Sequence, residues 1–173
     1  MKDDPFASST TKSLCLNPNE ISEILSKILI AKLATVDPTG SIHIVPMWFI
    51  HEDEFILIPT SQKTHKFRNL QTRPYASVMI DISLEGLDLR GVLIRGKVEL
   101  IREKEAHLIN HKIYLKYIDP EAFEDPAVLN YLSAGDDITL KIHIDNLVSW
   151  NLADSMAGMA IRKGKWSRAL DMK

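Results

Sequence analysis

Leu57-Ile58-Pro59-Thr60-Ser61-Gln62-Lys63-Thr64-His65-Lys66-Phe67-Arg68-Asn69-Leu70 changes character at its midpoint. The apolar run up to Ile58 closes a β-strand. From Lys63, Phe67 and Leu70 turn inward at helical spacing while Lys66, Arg68 and Arg73 face out. Arg73-Pro74 stops that helix, since proline has no N–H to give and restricts the residue before it. A helix start leaves backbone N–H groups without intrahelical partners and carries the positive end of the helix dipole. Thr60, Ser61 and Thr64 add hydroxyls there, Lys63 and Lys66 add charge, and His65 adds a donor. Together these compose a phosphate cradle. The plainer alternative is a capped helix with solvated lysines.

Working outward, strands surround this junction. Ala31 to Val36, Ser41 to Ile50 and Phe55 to Thr60 form an antiparallel meander, joined by the turn Asp37-Pro38-Thr39-Gly40 and the polar loop His51 to Glu54. Tyr75 to Ser83 is a fourth strand and Arg90 to Arg102 a long fifth. Gly91 and Gly96 mark a bend or bulge in the fifth. Ile138 to Trp150 is a sixth, with a bend near Asn146. Helices flank the strands. The first opens on Asn17-Pro18-Asn19-Glu20, a cap with proline at the first helical position, and runs through Ile21, Ile24, Leu25 and Ile28 to Leu29 or Ile30. Another spans Glu103 to Ile118, and a helical turn or two lies around Ala127 to Leu132. Six antiparallel strands with few helices point to a closed or nearly closed barrel, because closure removes edges that would pair with other chains.

Composition narrows the function classes. The chain has 173 residues, enough for one domain with its own core. A net charge of -2 offers no general pull toward nucleic acid or a membrane surface, so any anion site is local. The single cysteine, Cys15, excludes an internal disulfide. No apolar run reaches the length of a membrane span, and Met1 to Lys12 lacks a signal-peptide core. The expectation is a soluble, cytoplasmic protein with no nucleic-acid or membrane partner. His107 and His111 share a helix face without a third metal ligand nearby, so no metal site is expected. Asp136-Asp137 reads as a pair of turn acids.

The segment quoted at the outset resembles the FMN-phosphate segment of the pyridoxamine 5'-phosphate oxidase-like split barrels. Thr64-His65-Lys66 falls where that family carries Ser-Arg-Lys, with His65 in place of the usual Arg. The order of further matches supports the resemblance: Leu33 to Gly40, His43-Ile44-Val45-Pro46-Met47-Trp48-Phe49, Arg95-Gly96-Lys97-Val98-Glu99 and Asn146-Leu147-Val148-Ser149-Trp150. It implies a mainly β fold with flanking helices, a six-stranded antiparallel split β-barrel over residues 17–152. A flexible arm (1–16) would precede it and a tail (153–173) would follow.

The resemblance also implies FMN, or alternatively a deazaflavin coenzyme, at a homodimer interface. Its phosphate would rest on Thr64, His65 and Lys66. Its ring would lie against Val45, Pro46, Met47 and Trp48, near Thr60 and Ser61, with Asn69 of the helix completing the set. The basic pairs with which true pyridoxamine-phosphate oxidases hold their substrate have no match here. The implied activity is therefore that of a flavin-dependent oxidoreductase on another small molecule. The alternative is a flavin- or haem-binding module of the same fold without turnover. No acid, base or nucleophile stands out; His43 and Tyr75 are the candidates if a proton must be given.

Overall fold

The computed structural model describes residues 14–133 and 136–166. Most of the expected arm, residues 1–13, and the end of the tail, 167–173, lie outside these. The strands are β1 (Ala31–Val36), β2 (Ile42–Met47), β3 (Ile50–Glu52), β4 (Phe55–Thr60), β5 (Tyr75–Ser83), β6 (Leu89–Arg102), β7 (Ile138–His143) and β8 (Asn146–Asn151). The α-helices are α1 (Pro18–Ser26), α2 (His65–Thr72), α3 (Glu103–Tyr117), α4 (Pro126–Ser133) and α5 (Met156–Gly164). All strand pairs are antiparallel. One sheet runs β2-β1-β5-β6-β8, the other β6-β7-β4-β3, and the long β6 belongs to both.

The split-barrel class is as expected, but the strands number eight among the described residues rather than six. The second and sixth predicted strands each break where the chain passes from one sheet to the other. After β2, Trp48 and Phe49 carry the chain across, and Phe49 drops into the core with no exposed surface. The Phe49 N–H donates to the Tyr117 hydroxyl at 3.2 Å, and that hydroxyl donates to the Leu29 carbonyl at 2.7 Å. After β7 the break falls at Ile144 and Asp145, and the Asp145 carboxylate accepts the Lys97 N–H at 2.8 Å.

That second break faces Gly96. A Cβ on Gly96 would collide with the His143 backbone carbonyl, so only glycine lets β6 bend where β7 hands over to β8. At Gly91 an added Cβ would meet the Trp150 ring at 2.6 Å. The bend expected from these two glycines is therefore a close approach of neighbouring strands.

Alternation puts Leu33, Val78, Ile80, Val92 and Ile94 inside, with Ile56, Ile58, Leu140 and Ile142 from the other sheet, all fully buried. Helix α1 seals one end with Ile24 and Leu25. Its capping box is as predicted, but it stops at Ser26 because Lys27 turns extended, leaving Ile28 68% exposed. Leu16, assigned to the arm by sequence, is buried, and its N–H donates to Ser149 Oγ. The tail begins with a helix, α5, capped by the Ser155 hydroxyl.

The opposite face of the first sheet is apolar and open. Ile42 (69%) and Ile44 (62%) of β2 point outward beside exposed Pro46, with Met79 of β5 and Val148 of β8 exposed on the same face.

Candidate functional site

A cavity of about 480 Å³ opens where the end of β2 meets the end of β4 under the helices. Val45, Pro46, Met47 and Trp48 form one wall, Pro59 and Thr60 the next; Lys66 of α2, Tyr114 of α3, and Tyr131 and Leu132 of α4 complete it. This size falls within the range of small-molecule and cofactor pockets, about 300–1,000 Å³.

Trp48 is fixed from two sides. Its ring stacks on Tyr117 (5.1 Å between centroids, 7° between planes) and meets Tyr114 edge-on at 6.1 Å. Such a clamp presents a rigid aromatic edge to the cavity.

Lys66 is the one charged side chain in the lining. Burial alone holds its pKa below the usual lysine value; among the described residues no neighbouring carboxylate acts on it. An ammonium half-removed from water without a counter-charge is a site for an anion. Tyr114 is the second titratable group here, and burial, with Asp137 adding to it, pushes its phenol pKa up, so it stays a protonated donor at neutral pH.

The rest of the predicted cradle is arranged differently. Thr64 caps α2: its hydroxyl donates to the Ser61 carbonyl at 2.7 Å and accepts the Phe67 N–H at 3.4 Å. It also lies 3.3 Å from the Thr60 hydroxyl. The Ser61 hydroxyl donates to Asp136 Oδ2 at 2.6 Å, and the Gln62 N–H donates to the same oxygen at 3.0 Å. Asp136, read from sequence as a turn acid, thus takes two donors of the cradle, and the Ser61 hydroxyl holds its carboxyl below the ordinary carboxylate range. What remains for an exogenous anion is the Lys66 ammonium and the N–H groups of His65 and Lys66, since Phe67 N–H is taken by the Thr64 cap.

His65 is exposed, 3.3 Å from Arg68 through Nδ1 and 5.9 Å from the His43 ring, outside the cavity lining. Asn69 is buried, and its amide donates to the Thr35 hydroxyl at 3.1 Å, holding α2 on β1. The cavity therefore gathers Val45, Pro46, Met47, Trp48, Thr60 and Lys66 of the predicted residues, and leaves Ser61, Thr64, His65 and Asn69 beside it. His43 and Tyr75 do not line it either.

Pro59, Tyr114, Tyr131 and Leu132 were not anticipated. Tyr114 had a usable signal: it follows Asn110, buried on the inner face of α3, by four residues. Tyr131 and Leu132 had none, because α4 buries no side chain of its own.

An antiparallel barrel split into two sheets, with an aromatic cleft and a cation unpaired among the described residues at the strand-to-helix junction, defines the split-barrel class. Within that class, residues 18–129 match the family model of pyridoxamine 5'-phosphate oxidase, and the chain belongs to that family. General stress protein 26 of Bacillus subtilis is 28% identical over 86 residues, 50% of this chain; the match spans 61% of that protein's length. Among solved structures, the conserved hypothetical protein Rv2991 of Mycobacterium tuberculosis superposes with a TM-score of 0.65 at 25% identity, covering 80% of this chain and 86% of that one. An F420 reductase gives 0.53 at 22% identity, with 76% and 98% covered. HutZ, the haem storage protein of Vibrio cholerae, gives 0.57 at 18% identity, with 78% and 96% covered. The last two likenesses show the fold. No helix among the described residues is long and apolar enough to cross a membrane.

Proposed function

We propose that this protein is a flavin-dependent oxidoreductase that holds FMN, or a deazaflavin coenzyme, in the 480 Å³ cavity and acts on a small molecule as a homodimer. The observation that carries this reading is Lys66, a partly buried ammonium with no counter-charge among the described residues, facing a cleft walled by Val45 to Trp48. Lys66 and the first turn of α2 would take the phosphate; Val45 to Trp48 would flank the ring. The flavin itself supplies the hydride or electron transfer. The chain's contribution is to bind and orient it, to exclude water with Tyr131 and Leu132, and to offer the Tyr114 hydroxyl as a hydrogen-bond donor at the cavity wall.

The lining also weighs between cofactors. Haem iron is commonly held by an axial His, Cys, Tyr or Met. No histidine or cysteine among the described residues lines the cavity, and burial keeps the Tyr114 phenol protonated, away from the phenolate an iron would take, which leaves Tyr131 and Met47. This favours a flavin.

The homodimer is supported by the open apolar face. A row of Ile42, Ile44 and Pro46 on a β-edge invites coverage by a second copy. Ile44→Glu places a charge in its middle and is expected to convert a dimer to a monomer in sedimentation at micromolar concentration; a wild-type monomer would contradict the dimer.

Release of the copurified cofactor and its identification by mass is the direct test. A yellow protein yielding FMN or a deazaflavin supports the reading. A protein that is colourless and takes up neither coenzyme on titration overturns it.

A further inference from the structure

A second cavity, about 190 Å³, lies between α3 and α4 and shares Tyr114 and Leu132 with the first. Nothing in the proposed cofactor site uses it. We infer that it is a separate ligand site, which takes a single aromatic ring carrying an N–H donor, neutral or cationic.

Size sets the first limit. An apolar cavity of about 150 Å³ holds benzene. The present volume therefore suits one ring with a small substituent rather than a fused ring system.

The walls set the second. His111 and Phe123 lie 5.1 Å apart at 39°, a continuous aromatic surface on which a ring can pack, with Leu129 opposite on α4. Leu129 is 47% exposed, as a residue at the mouth of a site would be.

Charge sets the third. The lining contains no Lys or Arg and one carboxylate, Asp137. Its Oδ1 lies 3.3 Å from His107 Nδ1, and Oδ2 has no protein partner among the described residues. That oxygen, on a half-exposed side chain at the rim, is open to a donor on a bound ring, and the carboxylate disfavours an anionic one. The Asn110 amide is already engaged with Thr139 and the Ile138 carbonyl, so it confers no selectivity.

The test is calorimetric titration of the full chain with 2-aminopyridine, whose amidine edge carries the required N–H groups, and with benzoate, a ring of similar size and opposite charge. The expected result is binding of 2-aminopyridine at least tenfold tighter than benzoate. Leu129→Trp, on an exposed helix face, should fill the cavity and abolish binding. Asp137→Asn should weaken it about tenfold; asparagine is chosen because residue 137 has φ +42°, a region Asn tolerates. FMN affinity is measured on Leu129→Trp, a residue outside the cofactor cavity, and it should not move. No binding of 2-aminopyridine up to millimolar concentration, equal binding of benzoate, or unchanged binding in Leu129→Trp would overturn the inference. If the wild type takes 2-aminopyridine but no flavin coenzyme, the second site stands and the cofactor reading falls.

Discussion

Replacing Lys66 by Met separates the two consequences of an unpaired cation in a cleft. Methionine keeps most of the aliphatic stem and removes the charge. A hydrogen bond to a charged group contributes about 1.5–3 kcal/mol, which at about 1.4 kcal/mol per decade is a 10- to 150-fold change in affinity. Lys66 is only half-buried, so solvent screening puts the loss near the lower end, about tenfold. Stability should move the other way. Because burial disfavours the charged form of Lys66 with no neighbour offsetting it, its removal should leave the melting temperature unchanged or higher. The assay is FMN titration by flavin fluorescence at two salt concentrations, beside thermal unfolding without ligand. Wild-type affinity should fall with salt and the variant's should fall less. A variant that melts like wild type and binds FMN within twofold of it would refute the assignment of the phosphate to Lys66.

Three other outcomes are expected. Asp136→Ala releases the Ser61 hydroxyl and Gln62 N–H and removes a negative charge, so FMN should bind severalfold tighter by the same titration; weaker binding would mean that Asp136 builds the site instead of competing for it. Gly96→Ala should cost at least about 3 kcal/mol in urea unfolding, because its Cβ meets backbone that cannot yield. Burial lowers Lys116 to about 8 from 10.5, so between those values the unfolded chain binds more protons than the folded one and stability should rise with pH; Lys116→Met should flatten that rise in denaturation midpoints at pH 7.5 and 10.

Local signals made most of the barrel legible. Ala31–Val36, Phe55–Thr60 and Tyr75–Ser83 keep the bounds read from the sequence, since each pairs along its length within one sheet. The break at Trp48-Phe49 escaped them because a strand changing sheets keeps its β-forming residues, and the one at Ile144-Asp145 was read only as a bend near Asn146; tertiary partners such as Tyr117 and Lys97 reveal the crossings. The candidate site was half legible for a related reason. Val45 to Trp48, Thr60 and Lys66 sit where the junction motif implied. The Asp136 latch on Ser61 spans 75 residues, and Tyr131 reaches the cleft from a helix with no inward face of its own. Asn69 shows the converse: it lies on the right helix, but turned to the core.

The place of β6 in both sheets has a mechanical consequence. The two jaws of the cleft, the ends of β2 and β4, hang from different sheets, and those sheets share one rod. That rod bends at Gly96, against His143 at the end of β7 away from Thr60, where a single hydrogen atom stands in for a side chain. Substitutions there, remote from any ligand, would retune what the jaws can grip.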